Sequence, residues 1–234
     1  MATEPLLLIA AGGLAREALA ALRAAGAQHA VGLLDDDPDL HGSTVGGVGV
    51  LGPIELAESY GDVRLVVCAG SGAVREAIVT RLAGRGIGPD RFATVAHPSV
   101  TMGADCRVGP GSVLLANVAL TTDATLGSHV VAMPHVTVTH DGVIEDFATL
   151  CAGVSLGGAV RVGRGAYLGM NASVRQRVSV GERCVVGMGA VVLTSIADGS
   201  IVVGNPAHEL PMRTIIGAQR SGTRSGGLDS REGR

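Results

Sequence analysis

Aromatic residues are nearly missing from this chain. It has two tyrosines, two phenylalanines and no tryptophan, 2% of the sequence against 47% apolar residues. An interior built on large rings is therefore out, and Val, Leu, Ile and Ala must fill a narrow one. Lysine is missing as well: the 18 basic residues are all arginine, a choice typical of a GC-rich genome, and they face 21 acidic residues. That balance excludes a broad basic surface for nucleic acid. The four cysteines, Cys68, Cys106, Cys151 and Cys184, are scattered without a Cys-x-x-Cys pair. A disulfide framework or zinc site is not expected, and a reducing cytoplasm is the default setting. No apolar run is long enough to span a bilayer, and Met1–Pro5 lacks a basic, apolar, cleavable leader, so no membrane partner is expected.

What is present in abundance is a period of six. From Ala96 to Ala197 the chain divides into 17 hexads, and all but Ala96 and Ala132 open on Leu, Ile, Val or Met. The fifth position is small or branched throughout, from Val100 and Cys106 to Cys184, Ala190 and Ile196. Glycine fills the second position in eight hexads, among them Gly109, Gly127, Gly163 and Gly181. A strict six-residue period excludes a helix, whose 3.6-residue turn would smear these positions around the surface. It also excludes an ordinary sandwich, whose turns fall irregularly. It predicts a parallel β-helix in which three hexads form one triangular coil and neighbouring coils bury each other's apolar positions.

The segment before the repeats reads as a small α/β unit. Leu6–Ala10 suits a strand, Ala15–Ala25 a helix and Ala30–Leu34 a second strand ending at Asp35-Asp36-Asp37-Pro38. A short helix over Pro53–Tyr60, a strand over Val63–Ala69 and a helix over Gly72–Ala83, with Arg and Glu on its outer face, complete the unit. Such alternation predicts a Rossmann-like parallel sheet covered by helices. The domains are thus residues 1–95, a β-helix with a cap over 96–216, and a disordered tail over 217–234.

Two places carry candidate chemistry. Gly12-Gly13 stand between a strand and a helix, where backbone N–H groups can approach a phosphate. Asp35 and Asp36 follow at the end of the next strand, where an acid can take a ribose hydroxyl. The full G-x-G-x-x-G fingerprint is missing, and a tight turn beside a solvated acidic loop explains the same residues. The second place is His140-Asp141, at a hexad's third and fourth positions. Histidine is the usual general base near neutral pH, and an adjacent carboxylate orients it. One coil onward from His140 stands Gly158, about 4.8 Å away by the spacing of strands. A base beside a glycine N–H is the minimal equipment for acyl transfer, although surface His-Asp pairs also occur without function. Stacking further aligns Asp146, Arg164 and Glu182 as a supporting column. It also aligns Asp105, Asp123 and Asp141, a like-charged column without an evident reason.

The segments IAAGGLAREAL, GLLDDDPDLHGSTVGGVGVLGPIEL, VVCAGSGAVREAI, VAHPSV, THDGVIEDF and VVGNPA, together with the hexads, resemble a bacterial sugar acyltransferase family. That family includes sialic acid O-acetyltransferases (NeuD type) and UDP-4-amino-sugar N-acetyltransferases (PglD type), and the resemblance spans roughly residues 5–216. It implies a left-handed β-helix, a homotrimer, acetyl-CoA as co-substrate between neighbouring subunits, a nucleotide-linked amino sugar on the N-terminal domain, and no metal. It implies His140 as general base, Asp141 as its orienting acid and the Gly158 N–H as the group polarising the thioester carbonyl. Met170 and Met188 would lie near the CoA chain, and Gly12, Gly13, Leu14, Asp35, Asp36 and Gly70 would line the sugar-nucleotide site. Three positions depart from the family pattern. Leu14 replaces a histidine after the glycine pair, and Met133 replaces an asparagine. Thr149, expected at CoA, replaces a second histidine. These departures leave room for a non-catalytic nucleotide-sugar scaffold. A γ-carbonic-anhydrase-like zinc enzyme is a weaker rival, since His135 and His140 have the right step but no third histidine is in register.

Overall fold

The computed structural model describes residues 5–26 and 30–210. The expected tail over 217–234 and the part of the expected cap beyond residue 210 lie outside the described residues. The N-terminal unit contains β1 (Leu6–Ile9), α1 (Gly13–Ala24), β2 (Ala30–Leu34), β3 (Thr44–Val45), β4 (Val48–Gly52), β5 (Arg64–Val67) and α2 (Gly72–Ala83). Its sheet has the order β3-β4-β2-β1-β5, parallel except for the β3–β4 hairpin. The hairpin is an addition to the sequence reading. The expected helix over 53–60 is a 3-10 helix, Ile54–Tyr60.

Alternate residues of β1 face opposite ways, as a pleated strand requires. Leu6 and Leu8 join α1's Leu14, Ala18 and Leu19 in one buried cluster, whereas Leu7 and Ile9 join α2's Ile78 and Leu82 in another. The first cluster continues into Val113, Leu115 and Val131 of the repeat domain. Helix α1 is therefore wedged between its own sheet and the repeats, and this apolar contact fixes the two domains against each other.

From Val95 onward the chain is a left-handed parallel β-helix of two-residue rungs stacked into three faces. The first face begins with Val95–Ala96 and Val113–Leu114, the second with Thr101–Met102 and Ala119–Leu120, the third with Arg107–Val108 and Thr125–Leu126. Every pairing from the first rung to Val191–Val192 steps by one three-hexad coil, as in Thr137↔Ser155 and Val138↔Leu156. First and fifth hexad positions converge inside: Leu120, Val138, Ile144, Leu150, Val154, Val160 and Leu168 are all buried in one core. Cys106 and Cys184 lie in that core as small apolar residues, and all four cysteines are free.

The corners explain what composition could not. At the fourth hexad position the backbone enters the left-handed region, with φ of 62° at Asn117, 50° at Asp123, 56° at His129 and 59° at Asp141. Asn, Asp, His and Gly tolerate that conformation better than other residues. Asp123 and Asp141 thus share a column because the corner favours their type, and their exposed carboxylates are screened by water.

The repeat slips once. Ile196 pairs with Val180 and Ile201 with Val185, a step of 16 residues rather than 18. The expected phase through Ala197 is therefore corrected: after Val192 the coil is two residues short, and Ile196 occupies a first-position slot instead of a fifth. Ser195 Oγ fills the gap by accepting the Ser179 N–H at 3.1 Å. The chain then folds back as an antiparallel rung, His208–Glu209 against Val202–Val203, covering part of the open end.

Candidate functional site

His140 stands on the corner between the second and third faces, because Thr137–Val138 and Val143–Ile144 belong to those faces. The left-handed backbone of Asp141 turns its carboxylate back on the ring, and His140 Nδ1 lies 2.7 Å from Asp141 Oδ2. A carboxylate there makes Nδ1 the protonated nitrogen and leaves the Nε2 lone pair outward. Both side chains are 61% exposed, so the pair is open to a reactant. One coil on, Ala159 N–H donates to His140 O at 2.8 Å, which seats the imidazole over Gly158. A methyl group on Gly158 would overlap Nε2 and Cε1 of His140. Among the described residues the Gly158 N–H has no acceptor. The corner thus presents a proton acceptor, an orienting acid and an unused amide donor within one strand spacing, which suits a carbonyl carbon under attack.

The glycine crevice forms at the other domain's edge. Strands β1 and β5 are neighbours in register, Ile9↔Val67, and each runs into a glycine loop and a helix on opposite sides of the sheet. That is a topological switch point, the place where open parallel sheets bind ligands. It brings Gly12, Gly13 and Gly70 to one edge. Gly12 has no side chain to cap α1, so the first-turn N–H groups are left for a ligand or water. Asp35 sits on the same edge, but its carboxylate accepts Ala11 N–H at 2.7 Å and Asp37 N–H at 2.9 Å. Asp36 accepts Ile54 N–H and pairs with Arg81 at 2.7 Å. Both aspartates therefore shape the crevice through backbone and arginine contacts.

Two sequence expectations change. The Leu14 side chain points inward and is buried in the cluster that α1 shares with its sheet and the repeat domain, so only its backbone can line a ligand site. Thr149 is 1% exposed and lies at the joint between the domains, with its hydroxyl accepting from Arg75 Nη2 at 3.0 Å and donating to Gly70 O at 3.1 Å. Gly70 and Arg75 cover it, so its side chain is closed off from solvent. Met133 is partly buried against the same apolar cluster as Leu14. Met170 and Met188 do stand on the surface, 49% and 72% exposed, one above the other on the corner between the first and second faces. Cys151 is buried, and that burial raises its thiol above the ordinary range, the reverse of an activated thiolate.

The joint itself was missed in the sequence. Arg75, expected on the outer face of its helix, is completely buried. His129 is buried too, not a surface turn residue, with its ring edge-on to Phe92 at 4.6 Å and stacked on Phe147 at 5.1 Å. Burial and then the Arg75 charge lower its pKa to about 4. The expected Asp146–Arg164 pair forms at 2.9 Å, but Arg164 turns its other edge to Glu76 of α2 at 2.9 Å rather than to Glu182. No cluster of three His, Cys, Asp or Glu side chains able to hold a metal exists among the described residues.

Residues 5–82 match the family model of the PglD N-terminal domain, and residues 159–194 match that of the bacterial transferase hexapeptide (six repeats). No curated protein matches the chain. Three solved structures are similar over nearly their whole length. One is a histidine-to-asparagine variant of perosamine N-acetyltransferase from Caulobacter crescentus, in complex with CoA and GDP-perosamine. It is 27% identical, with 90% of this chain and 98% of that one covered, at a TM-score of 0.82. Another is the acetyltransferase domain of PglB from Neisseria gonorrhoeae with acetyl coenzyme A: 28% identity, 89% and 100% coverage, TM-score 0.80. The third is WeeI from Acinetobacter baumannii: 27% identity, 88% and 99% coverage, TM-score 0.79. With a match to the PglD N-terminal domain ahead of a match to the transferase hexapeptide repeats, and with solved sugar N-acetyltransferases alike over most of its length, the chain is similar to the hexapeptide-repeat sugar acyltransferases.

Proposed function

We propose that the protein transfers an acetyl group from acetyl-CoA to an amine, or a hydroxyl, of a nucleotide-linked sugar. The observation that carries this reading is the exposed His140–Asp141 pair with Nε2 set over Gly158 and its unused N–H. In the proposed step the acceptor nitrogen or oxygen attacks the thioester carbonyl and gives its proton to His140 Nε2. The Gly158 N–H stabilises the negative charge on the carbonyl oxygen. The carbon–sulfur bond then breaks, and the departing CoA sulfur takes the proton back from His140. Asp141 holds Nδ1–H throughout and balances the imidazolium. No acyl-cysteine is needed.

The geometry also supports the homotrimer. The His140 corner lies across the prism from the first face, which is the face that α1 covers. One chain therefore presents its base and its glycine crevice on opposite sides, and a neighbouring subunit is needed to bring a crevice to a base. The corner between the first and second faces is apolar along its length, with Pro98, Ala116, Pro134, Ala152, Met170 and Met188 in one column. In the proposed trimer this edge meets the next subunit and the CoA chain. Gly12, Gly13 and Gly70, with Asp35 and Asp36 shaping the loops, hold the nucleotide.

Incubation with acetyl-CoA and a panel of nucleotide-linked amino sugars, following CoA release and product mass, tests the reading. Acetylated product with one acceptor class is the expected result. Tight nucleotide-sugar binding without turnover would instead make the protein a scaffold.

A further inference from the structure

Arg75 is a fully buried charge that faces no carboxylate among the described residues. Its Nε donates to His129 O at 3.0 Å, and Nη1 donates to Ala69 O at 2.9 Å and Gly70 O at 3.0 Å. Nη2 donates to Phe147 O at 2.8 Å, Ala148 O at 3.0 Å and Thr149 Oγ1 at 3.0 Å. Thr149 closes the ring by donating to Gly70 O. Beside them, α2 begins at Gly72, where a methyl group would overlap the Phe147 carbonyl oxygen and lie 3.3 Å from its carbon.

Simple adhesion between domains does not call for this arrangement. An apolar side chain would fill the space without the cost of burying an ion. What the guanidinium supplies is direction: six acceptors on two domains are held by one rigid, planar group. Two of those acceptors, Ala69 and Gly70, belong to the loop that follows β5 at the switch point. We infer that Arg75 and Thr149 are positioning residues for the nucleotide-linked sugar, fixing the 68–72 loop against the β-helix so that the crevice is set before the substrate arrives. This rests on the proposed function. It assigns Thr149 to the sugar-nucleotide side of the reaction and not to CoA.

The test compares Thr149→Val with Thr149→Ser in the full-length protein. Valine keeps the shape but loses both hydroxyl bonds, while Arg75 Nη2 retains two carbonyl acceptors, so the fold survives. The expected result for Thr149→Val is a KM for the nucleotide-linked sugar raised about tenfold. Its acetyl-CoA KM should stay within about twofold of wild type, with faster hydrogen exchange confined to residues 68–74. Serine, which retains the hydroxyl, should restore the wild-type values. Arg75→Lys, with three donors for six acceptors, should repeat the split more strongly. An unchanged sugar KM in Thr149→Val, with active wild type, would overturn the inference alone. A rise in the acetyl-CoA KM instead would return Thr149 to the CoA site and overturn it too. A wild-type protein that acetylates no nucleotide-linked sugar would overturn the functional reading and this inference with it.

Discussion

Replacing Gly158 by alanine separates the chemistry of the corner from its stability. An added methyl would overlap Nε2 and Cε1 of His140 and lie 3.1 Å from Cδ2. Ordinary carbon contacts begin near 3.5 Å, so the ring has to retreat by about 1 Å. The retreat strains the 2.7 Å bond to Asp141 and carries Nε2 away from the Gly158 amide. A displacement of about 1 Å in a reacting group is worth on the order of 10²-fold in rate, or about 2.7 kcal/mol of barrier. Gly158 is not among the residues with left-handed backbone, so alanine adopts its conformation without strain. His140 is exposed and can swing into solvent, which leaves the core intact. Steady-state CoA release should therefore fall about 100-fold in kcat/KM while the melting temperature stays within a few degrees. An alanine variant with wild-type kcat/KM would refute the claim that the imidazole must sit over Gly158.

Two further predictions concern stability. The His129 pKa is lowered to about 4 by burial first and by the Arg75 charge second, so the folded state binds fewer protons than the unfolded one below about pH 6.5. The stabilisation from the neutral ring is thus complete above pH 6.5 and lost as pH falls toward 4, by up to about 3 kcal/mol. Urea midpoints measured across that window should drop for wild type and flatten for His129→Asn, since asparagine tolerates the 56° φ of that corner and does not titrate. Equal slopes in both proteins would remove His129 from the account. Leu150→Ala, at a completely buried first position, should cost about 2–5 kcal/mol in chemical denaturation because the stacked coils on either side cannot collapse into the gap. A loss below about 1 kcal/mol would contradict a close-packed prism.

The repeat was legible because its physics is one-dimensional: a residue's inward or outward position follows from its place in the hexad. That is why His140 and Gly158, far apart in sequence, could be placed one coil apart before any coordinates. The final slip was not legible, because Ile196 and Ala197 satisfy the old phase in composition while the backbone pairs Ile196 with Val180. The Arg75 joint was hidden for a different reason. Its partners are mostly backbone carbonyls, which every residue carries, and the nearest repeat-domain acceptor is 54 residues away at His129. The lone signal was the placing of both phenylalanines, Phe92 and Phe147, where they clasp His129. The aspartates show the limit of motif spacing: Asp35 and Asp36 stand where an acid can meet a ribose, yet their carboxylates also hold Ala11, Asp37, Ile54 and Arg81.

The central claim is that His140 is the base of an acetyl transfer, and the ratio of wild-type to His140→Ala kcat/KM on the best nucleotide-linked amino sugar tests it most directly. With both proteins shown to be equally folded and to bind acetyl-CoA equally, the account predicts a ratio of about 10²–10⁴. A ratio near one, with acetylated product formed at the same rate by both, would contradict it and place the base elsewhere.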